Sequence, residues 1–363
     1  MKILHVESGM HLYGGALQVV FLLRGLRALG VECVLACPEG SAISEAAQAH
    51  AQVITLPMKG DLDLGLKGCL RRVIRDTKPD LLHLHSRRGT DIWGAFAARA
   101  EHKPVVLSRR VDNPEPGWLA RRKYRLYDRV ITISDGIRQV LLSEGVDPGR
   151  ITCVPSAVDT GQYRPDTRDM AWFRAEFGLQ PDELTIGMVA QFIERKGHAT
   201  LLDALPQLVQ AQPGIRVLLF GQGPLLEGIT RQVQASQLLA RHVVMAGFRR
   251  DLDRVLPCLD ILAHPAFMEG LGVSLLQAAA CGVPIVGGRA GGIPEIVQPG
   301  LNGELITPGD VDGLAQALRQ LLQDPDQRQR YGQAGRQWVE QHFSIDAMVR
   351  GNLAVYDSLT SRA

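Results

Sequence analysis

Two cations stand side by side at Arg195 and Lys196, inside the run Glu194-Arg195-Lys196-Gly197-His198. Such a pair can neutralise a diphosphate, Lys as a compact point charge and Arg as a planar donor that holds two oxygens at once. The run follows an apolar segment ending at Val189-Ala190 and precedes a helical pattern running toward Leu205. Positive charge at a helix start is unfavourable unless an anion meets it. A solvated charge cluster is the plainer alternative, but a place at the carboxyl end of a strand favours the diphosphate.

A longer stretch, from His264-Pro265 through Glu269-Gly270-Leu271-Gly272-Val273 to Gln277 and Cys281-Gly282-Val283-Pro284, reads as strand end, glycine loop, short helix and next strand. Gly270 and Gly272 let a ligand approach the loop backbone, and Glu269 at its mouth is a hydrogen-bond acceptor. Gln277 follows two helical turns on, which predicts that both side chains face one ligand. A capping Glu and a surface Gln would equally explain an isolated pair. Gly14-Gly15, ahead of the helical run Ala16–Leu29, offers backbone and helix-start N–H groups to phosphate. Taken alone it is as well explained by a tight strand-to-helix turn, and it is not a dinucleotide GxGxxG. Gly221, in Phe220-Gly221-Gln222-Gly223, and the run Gly287–Glu295 add glycine backbone to the same half of the chain.

Positioning these groups requires strands whose carboxyl ends carry the loops. Short apolar runs alternate with helical patterns, as in parallel sheets built from βαβ units, so the fold class is α/β. Strands are expected at Ile3–Glu7, Glu32–Cys37, Val53–Leu56, Leu81–His85, Val105–Ser108, Val130–Ile133 and Ile151–Val154. A second series is expected at Thr185–Ala190, Arg216–Phe220, Val243–Ala246, Ile261–His264, Pro284–Val286 and Glu304–Ile306. The rhythm breaks over Thr160–Pro181, which predicts domains over 1–165 and 166–343 and a C-terminal helix over 344–363 with the option of crossing back to the first. Two Rossmann-like lobes facing across a cleft would follow, with ligands at the carboxyl ends of their strands.

Bulk properties narrow the class. A chain of 363 residues suits two domains. A formal charge of +2 is too mild for a nucleic-acid binder. The six cysteines show no zinc-site spacing, and no long apolar run is present, so a cytoplasmic protein with reduced thiols is expected. The stretch Trp118-Leu119-Ala120-Arg121-Arg122-Lys123-Tyr124-Arg125-Leu126-Tyr127 suits peripheral contact with an anionic membrane, or equally an exposed helix with an ordinary buried face.

In this order, Gly14-Gly15, Arg195-Lys196-Gly197, Glu269–Pro284 and Gly300-Leu301-Asn302-Gly303 resemble the retaining GT-B glycosyltransferases of family four, the glycosyltransferase group 1 family. The resemblance spans almost the whole chain. It implies a UDP- or GDP-type sugar donor on the second domain, a glycan or glycolipid acceptor on the first, and transfer with retention, without metal or other cofactor. It leans toward lipopolysaccharide or envelope polysaccharide assembly, at the inner face of the cytoplasmic membrane. Lys196 would contact the diphosphate, Gly14 and Gly15 would approach it from the other lobe, and Glu269 would contact the transferred sugar. Backbone of Gly270, Leu271, Gly272 and Val273 would assist, and the Gly247-Phe248-Arg249 turn would meet the base.

The chain departs from that family in places. The second Glu of the usual pair is Gln277, a neutral partner for ribose hydroxyls, and the usual Arg is Gln191, for which Arg195 is the substitute at hand. Arg109-Arg110 stands where many members carry His, and either could reach a phosphate or an acidic acceptor. Ser156-Ala157 replaces a common Asn-Gly. A nucleotide-sugar 2-epimerase of the same fold is an alternative that needs carboxylate and histidine bases, of which no clear set is legible. A non-catalytic nucleotide-sugar-binding subunit is another, motivated by Gln277 and Gln191. An NAD-dependent dehydrogenase lacks its motif.

Overall fold

A computed structural model describes residues 1–12, 14–86 and 89–360. Its first sheet holds β1 (Lys2–Val6), β2 (Glu32–Pro38), β3 (Gln52–Leu56), β4 (Leu81–Leu84), β5 (Val105–Arg109), β6 (Arg129–Thr132) and β7 (Ile151–Cys153), in the order β3-β2-β1-β4-β5-β6-β7. Every pairing is parallel. Alternate side chains serve opposite faces. Ile3, Leu35, Val106 and Ile131 join Leu22 and Leu26 of the helix Gly14–Ala28 and Val349 and Tyr356 of the helix Ile345–Thr360. Leu4, Val34, Leu82 and Val130 join Leu70 and Ile74 of the helix Leu64–Thr77 on the other side. Covering both faces is why these strands read as continuous apolar runs rather than as alternating ones.

The second sheet holds β8 (Leu184–Val189), β9 (Ile215–Phe220), β10 (Val243–Gly247), β11 (Ile261–His264), β12 (Ile285–Gly288) and β13 (Gly303–Ile306), ordered β10-β9-β8-β11-β12-β13 and again parallel. Helices His198–Ala211 and Val311–Gln323 bury Leu201, Leu205, Leu208, Leu314 and Leu318 against one face. The first of these continues through Pro206 to Ala211. Burial of Leu205 and Leu208 on either side, at ~1.5–3 kcal/mol each, offsets the lost backbone bond.

Contacts divide the chain into Met1–Ala157 with Ile345–Ala363, and Val158–Ser344. This division falls ahead of the boundary expected after residue 165. Val158 bridges to Ser344, and its N–H donates to the Phe343 carbonyl at 2.9 Å, so the polar stretch and the helix Met170–Phe177 belong with the second sheet. The helix Ile345–Thr360 belongs with the first, and residues 361–363 of the expected C-terminal helix lie outside the described residues. Each sheet reverses its order beside its first strand, between β1 and β4 and between β8 and β11. At such a point the connecting loops part and a ligand site opens at the carboxyl ends.

Candidate active site

In the second unit, the chain leaves β8 and makes one 3₁₀ turn, Glu194–Lys196, before the helix that starts at His198. Gly197 at φ +77° joins them, and a Cβ there would meet the Pro265 carbonyl oxygen at 2.1 Å. That close approach, with the Phe267 N–H donating to the Arg195 carbonyl at 2.8 Å, fixes the turn to the loop after β11. The two adjacent cations point apart. Lys196 is buried, and its Nζ donates to Glu269 Oε2 at 2.6 Å. Arg195 is exposed, its guanidinium 3.4 Å from the sulfur of Met268, the residue before the one that Lys196 holds.

His264, the last residue of β11, donates from Nε2 to the same Glu269 Oε2 at 2.9 Å. Burial alone would push the Glu269 carboxyl up, but His264 and then Lys196 override it and pull it down to about 2. The anion that the helix start called for is therefore supplied by the protein. Glu269 is held from its backbone as well. The Gly292 N–H donates to its carbonyl at 3.1 Å, and a Cβ on Gly291 would lie 1.7 Å from that oxygen.

The next helix, Val273–Ala280, begins after Gly272, so Glu269 lies in the loop ahead of it. This corrects the expectation of two turns of one helix between Glu269 and Gln277. Gln277 is hydrogen-bonded instead with the Tyr163 hydroxyl. The backbone of Gly270, Leu271, Gly272 and Val273 leads into that helix start, where first-turn N–H groups have no intrahelical partner, while the Leu271 side chain is buried. Gly221 follows β9, and its N–H donates to the Gly247 carbonyl at 2.8 Å. Phe248 is exposed, but Arg249 is committed: it donates to both Asp251 carboxylate oxygens and to Glu176, and lies against Trp172 and Phe177.

In the first unit, a cavity of about 390 Å³ opens at the switch point beside Glu7, His85, Ser86, Arg110 and the helix start at Gly15. Gly14 begins that helix. Arg109 is buried and lines the same cavity, but its guanidinium is already engaged by Glu115, at 3.3 Å, and by the Asn113 carbonyl, at 2.5 Å. Arg110 reaches Ser156 Oγ only at 3.5 Å. Enclosure lowers its pKa, offset in part by the Glu7 carboxylate. Of the two arginines, Arg110 is the better placed for an anion entering the cavity.

Beneath this cavity lies a group that spacing did not reveal. His5 and His83 are register partners on β1 and β4, and with His85 they form the one cluster among the described residues with three metal-capable side chains, their ligand atoms within 4.8 Å. Their nitrogens are largely engaged: His5 Nδ1 shares a hydrogen with His85 Nε2 at 2.9 Å, and His83 meets the Tyr356 hydroxyl at 2.6 Å and Ser108 Oγ at 2.9 Å. Burial holds all three rings neutral, with His5 pushed down to about 3. The only advance signal was His83-Leu84-His85, which sets two rings on one face of a strand.

The family described as Glycosyl transferases group 1 matches residues 170–338, and that described as Glycosyltransferase Family 4 matches residues 13–162. The GDP-mannose-dependent alpha-(1-6)-phosphatidylinositol monomannoside mannosyltransferase of Mycolicibacterium smegmatis is 33% identical, over 68% of this chain and 68% of that protein. The D-inositol 3-phosphate glycosyltransferase of Mycobacterium marinum is 31% identical, over 64% of this chain and 52% of that protein. Among solved structures, that of Anabaena Alr3699/HepE in complex with UDP and glucose shares the fold, with a TM-score of 0.82 at 22% identity over 99% of this chain and 100% of that one. Two Rossmann-like parallel sheets, these two family matches and these relatives place the chain in glycosyltransferase family 4, among the group 1 glycosyltransferases of GT-B fold.

Proposed function

We propose that the chain is a retaining hexosyltransferase that takes a sugar from a UDP- or GDP-type donor on its second unit and passes it to a glycan or lipid-linked glycan on its first. The observation that carries this reading is the Lys196–Glu269–His264 cluster at the carboxyl ends of β8 and β11. As the glycosidic bond breaks, charge develops on the departing diphosphate. Lys196, with three N–H donors, and the first amides of the helix at Val273 would stabilise it, so neither metal nor other cofactor is invoked. Glu269 would orient the sugar through hydroxyl groups. The cavity beside Gly14, Gly15 and Arg110 would serve the acceptor end.

The relatives' names extend the acceptor class beyond lipopolysaccharide and other envelope polysaccharides to phosphoinositol compounds and their lipids. A cytoplasmic enzyme working at the inner membrane face fits such acceptors. Among the described residues no helix is long and apolar enough to cross a membrane. The test is thermal-shift screening against UDP, GDP, ADP and their sugars, where a ligand at ~100 times its Kd adds about 2.7 kcal/mol, followed by product analysis with an acceptor panel. An α-linked product from an α-linked donor, formed equally in EDTA, is expected. Loss in EDTA restored by manganese or magnesium would overturn the metal-free part. Conversion of donor alone would indicate an epimerase, and binding without turnover a non-catalytic subunit.

A further inference from the structure

We propose that His264 is the positioning residue of Glu269: through its Nε2–H it anchors Oε2 of that carboxylate and leaves Oε1 for a substrate hydroxyl. This rests on the reading of Glu269 as the sugar contact. A carboxylate oxygen only accepts, so the hydrogen at the 2.9 Å contact belongs to His264 Nε2. The ring is 1% exposed, and its Nδ1 has no hydrogen-bond partner among the described residues, so it has no competing bond there to turn toward. Oε2 takes both protein donors, His264 and Lys196, while Oε1 makes no hydrogen bond among the described residues.

The elements packed around the carboxylate bring few other charges. The turn Glu194–Lys196 brings Lys196, with Arg195 turned outward to Met268. The helix His198–Ala211 brings His198, stacked on Phe192 at 4.4 Å and held neutral, pushed down to about 4 by burial and then by His264 and Lys196. Gly291 and Gly292 bring backbone only. The two donors differ in what they do next. Lys196 can turn an N–H toward an incoming diphosphate, whereas His264, fixed at the end of a strand, stays. His264 is then the partner that keeps Glu269 ionised and aimed during the reaction.

The experiment follows the Glu269 carboxyl by ¹³C NMR in the ligand-free protein, assigned with Glu269→Gln, in wild type, His264→Phe and His264→Gln. Wild type should show no titration of this group above pH ~3. In His264→Phe, which keeps a ring but no donor, the midpoint should rise by about one to three pH units, and in His264→Gln, whose amide can still donate, by less. The acid limb of kcat/KM should move by the same amount, with kcat falling more than donor KM changes. If the Phe variant does not fold, His264→Leu carries the same expectation. An unmoved Glu269 midpoint in a folded His264→Phe or His264→Leu overturns the proposal. A shifted midpoint in a protein with no transferase activity would uphold it and remove the functional reading instead.

Discussion

Lys196 and Glu269 neutralise each other in the ligand-free protein, and this decides what each substitution should do. Lys196→Ala leaves Glu269 with His264 as its partner, so the fold should hold while stabilisation of the leaving group is lost. A fall in kcat on the order of 100-fold is expected from steady-state kinetics, with a smaller change in donor affinity. Glu269→Gln should also lower mainly kcat. If both variants remain folded and turn over near wild type, the active site lies elsewhere. Gln277→Glu should tighten the donor by ~1 kcal/mol, about fivefold in KM, because a carboxylate can accept from a ribose hydroxyl and from Tyr163 together. An unchanged donor KM would mean that Tyr163 holds position 277 away from the ligand. Residue types and spacing were enough to single out Lys196 and Glu269. They did not show His264, because the direction of a side chain at a strand end is set by tertiary packing. Nor did they show that Arg195 and Lys196 diverge, since that depends on the one-turn 3₁₀ geometry of Glu194–Lys196.

The strands were legible to within two residues at each end, because burial on both faces writes an apolar run bounded by polar turns. The stretch from Trp118 to Tyr127 shows where such reading stops. Its helix spans only Gly117–Tyr124, and its aromatics part company: Tyr124 and Tyr127 are core residues, whereas Trp118 is 68% and Leu119 42% exposed. Lys123 is also withdrawn, paired with Asp91 and Glu115 at 3.2 Å. What remains outward is Trp118 and Leu119 with Arg121, Arg122 and Arg125. Leu62 and Leu64 are exposed as well, and Asp61, Leu119 and Arg122 share one groove of about 880 Å³. This surface should bind anionic vesicles at low salt, at ~1 kcal/mol per cation near the headgroups, and neutral vesicles weakly. Combining Trp118→Ala with Arg121→Glu and Arg122→Glu should abolish sedimentation with the vesicles while leaving the far-UV spectrum unchanged. Equal sedimentation of the triple variant would show that the helix is an ordinary exposed one.

At the scale of the whole molecule, each unit buries three histidines, but the rings whose pKa burial lowers are unevenly shared. His5, His83 and His85 all lie in the first unit with pKa values lowered first of all by burial, whereas His198 in the second is pushed down to about 4 by its burial and two neighbouring bases. A ring kept neutral in the fold takes up its proton only on unfolding. Each such group therefore costs stability as pH falls below its unfolded pKa of ~6.5, at about 1.4 kcal/mol per pH unit until the folded value is reached. Glu7 opposes this in the first unit, because burial raises its pKa, but it is one carboxyl against three rings. Glu269, held down to about 2, gives its full contribution to the second unit above its unfolded value near 4.5 and loses it progressively from there down to about 2, mostly below this range. The first unit should thus loosen first between pH 6 and 4, which hydrogen exchange read by mass spectrometry can follow peptide by peptide. The sharpest mark is the helix Ile345–Thr360, next in sequence to the helix Pro325–His342 but joined to the first unit, where Tyr356 meets His83 at 2.6 Å. It should lose protection together with β1 and β4, and the pH dependence of that loss should flatten in His5→Phe, which removes one of the three titrating rings. Exchange in step with Pro325–His342 instead, at every pH, would mean that burial of the histidines does not govern acid stability here.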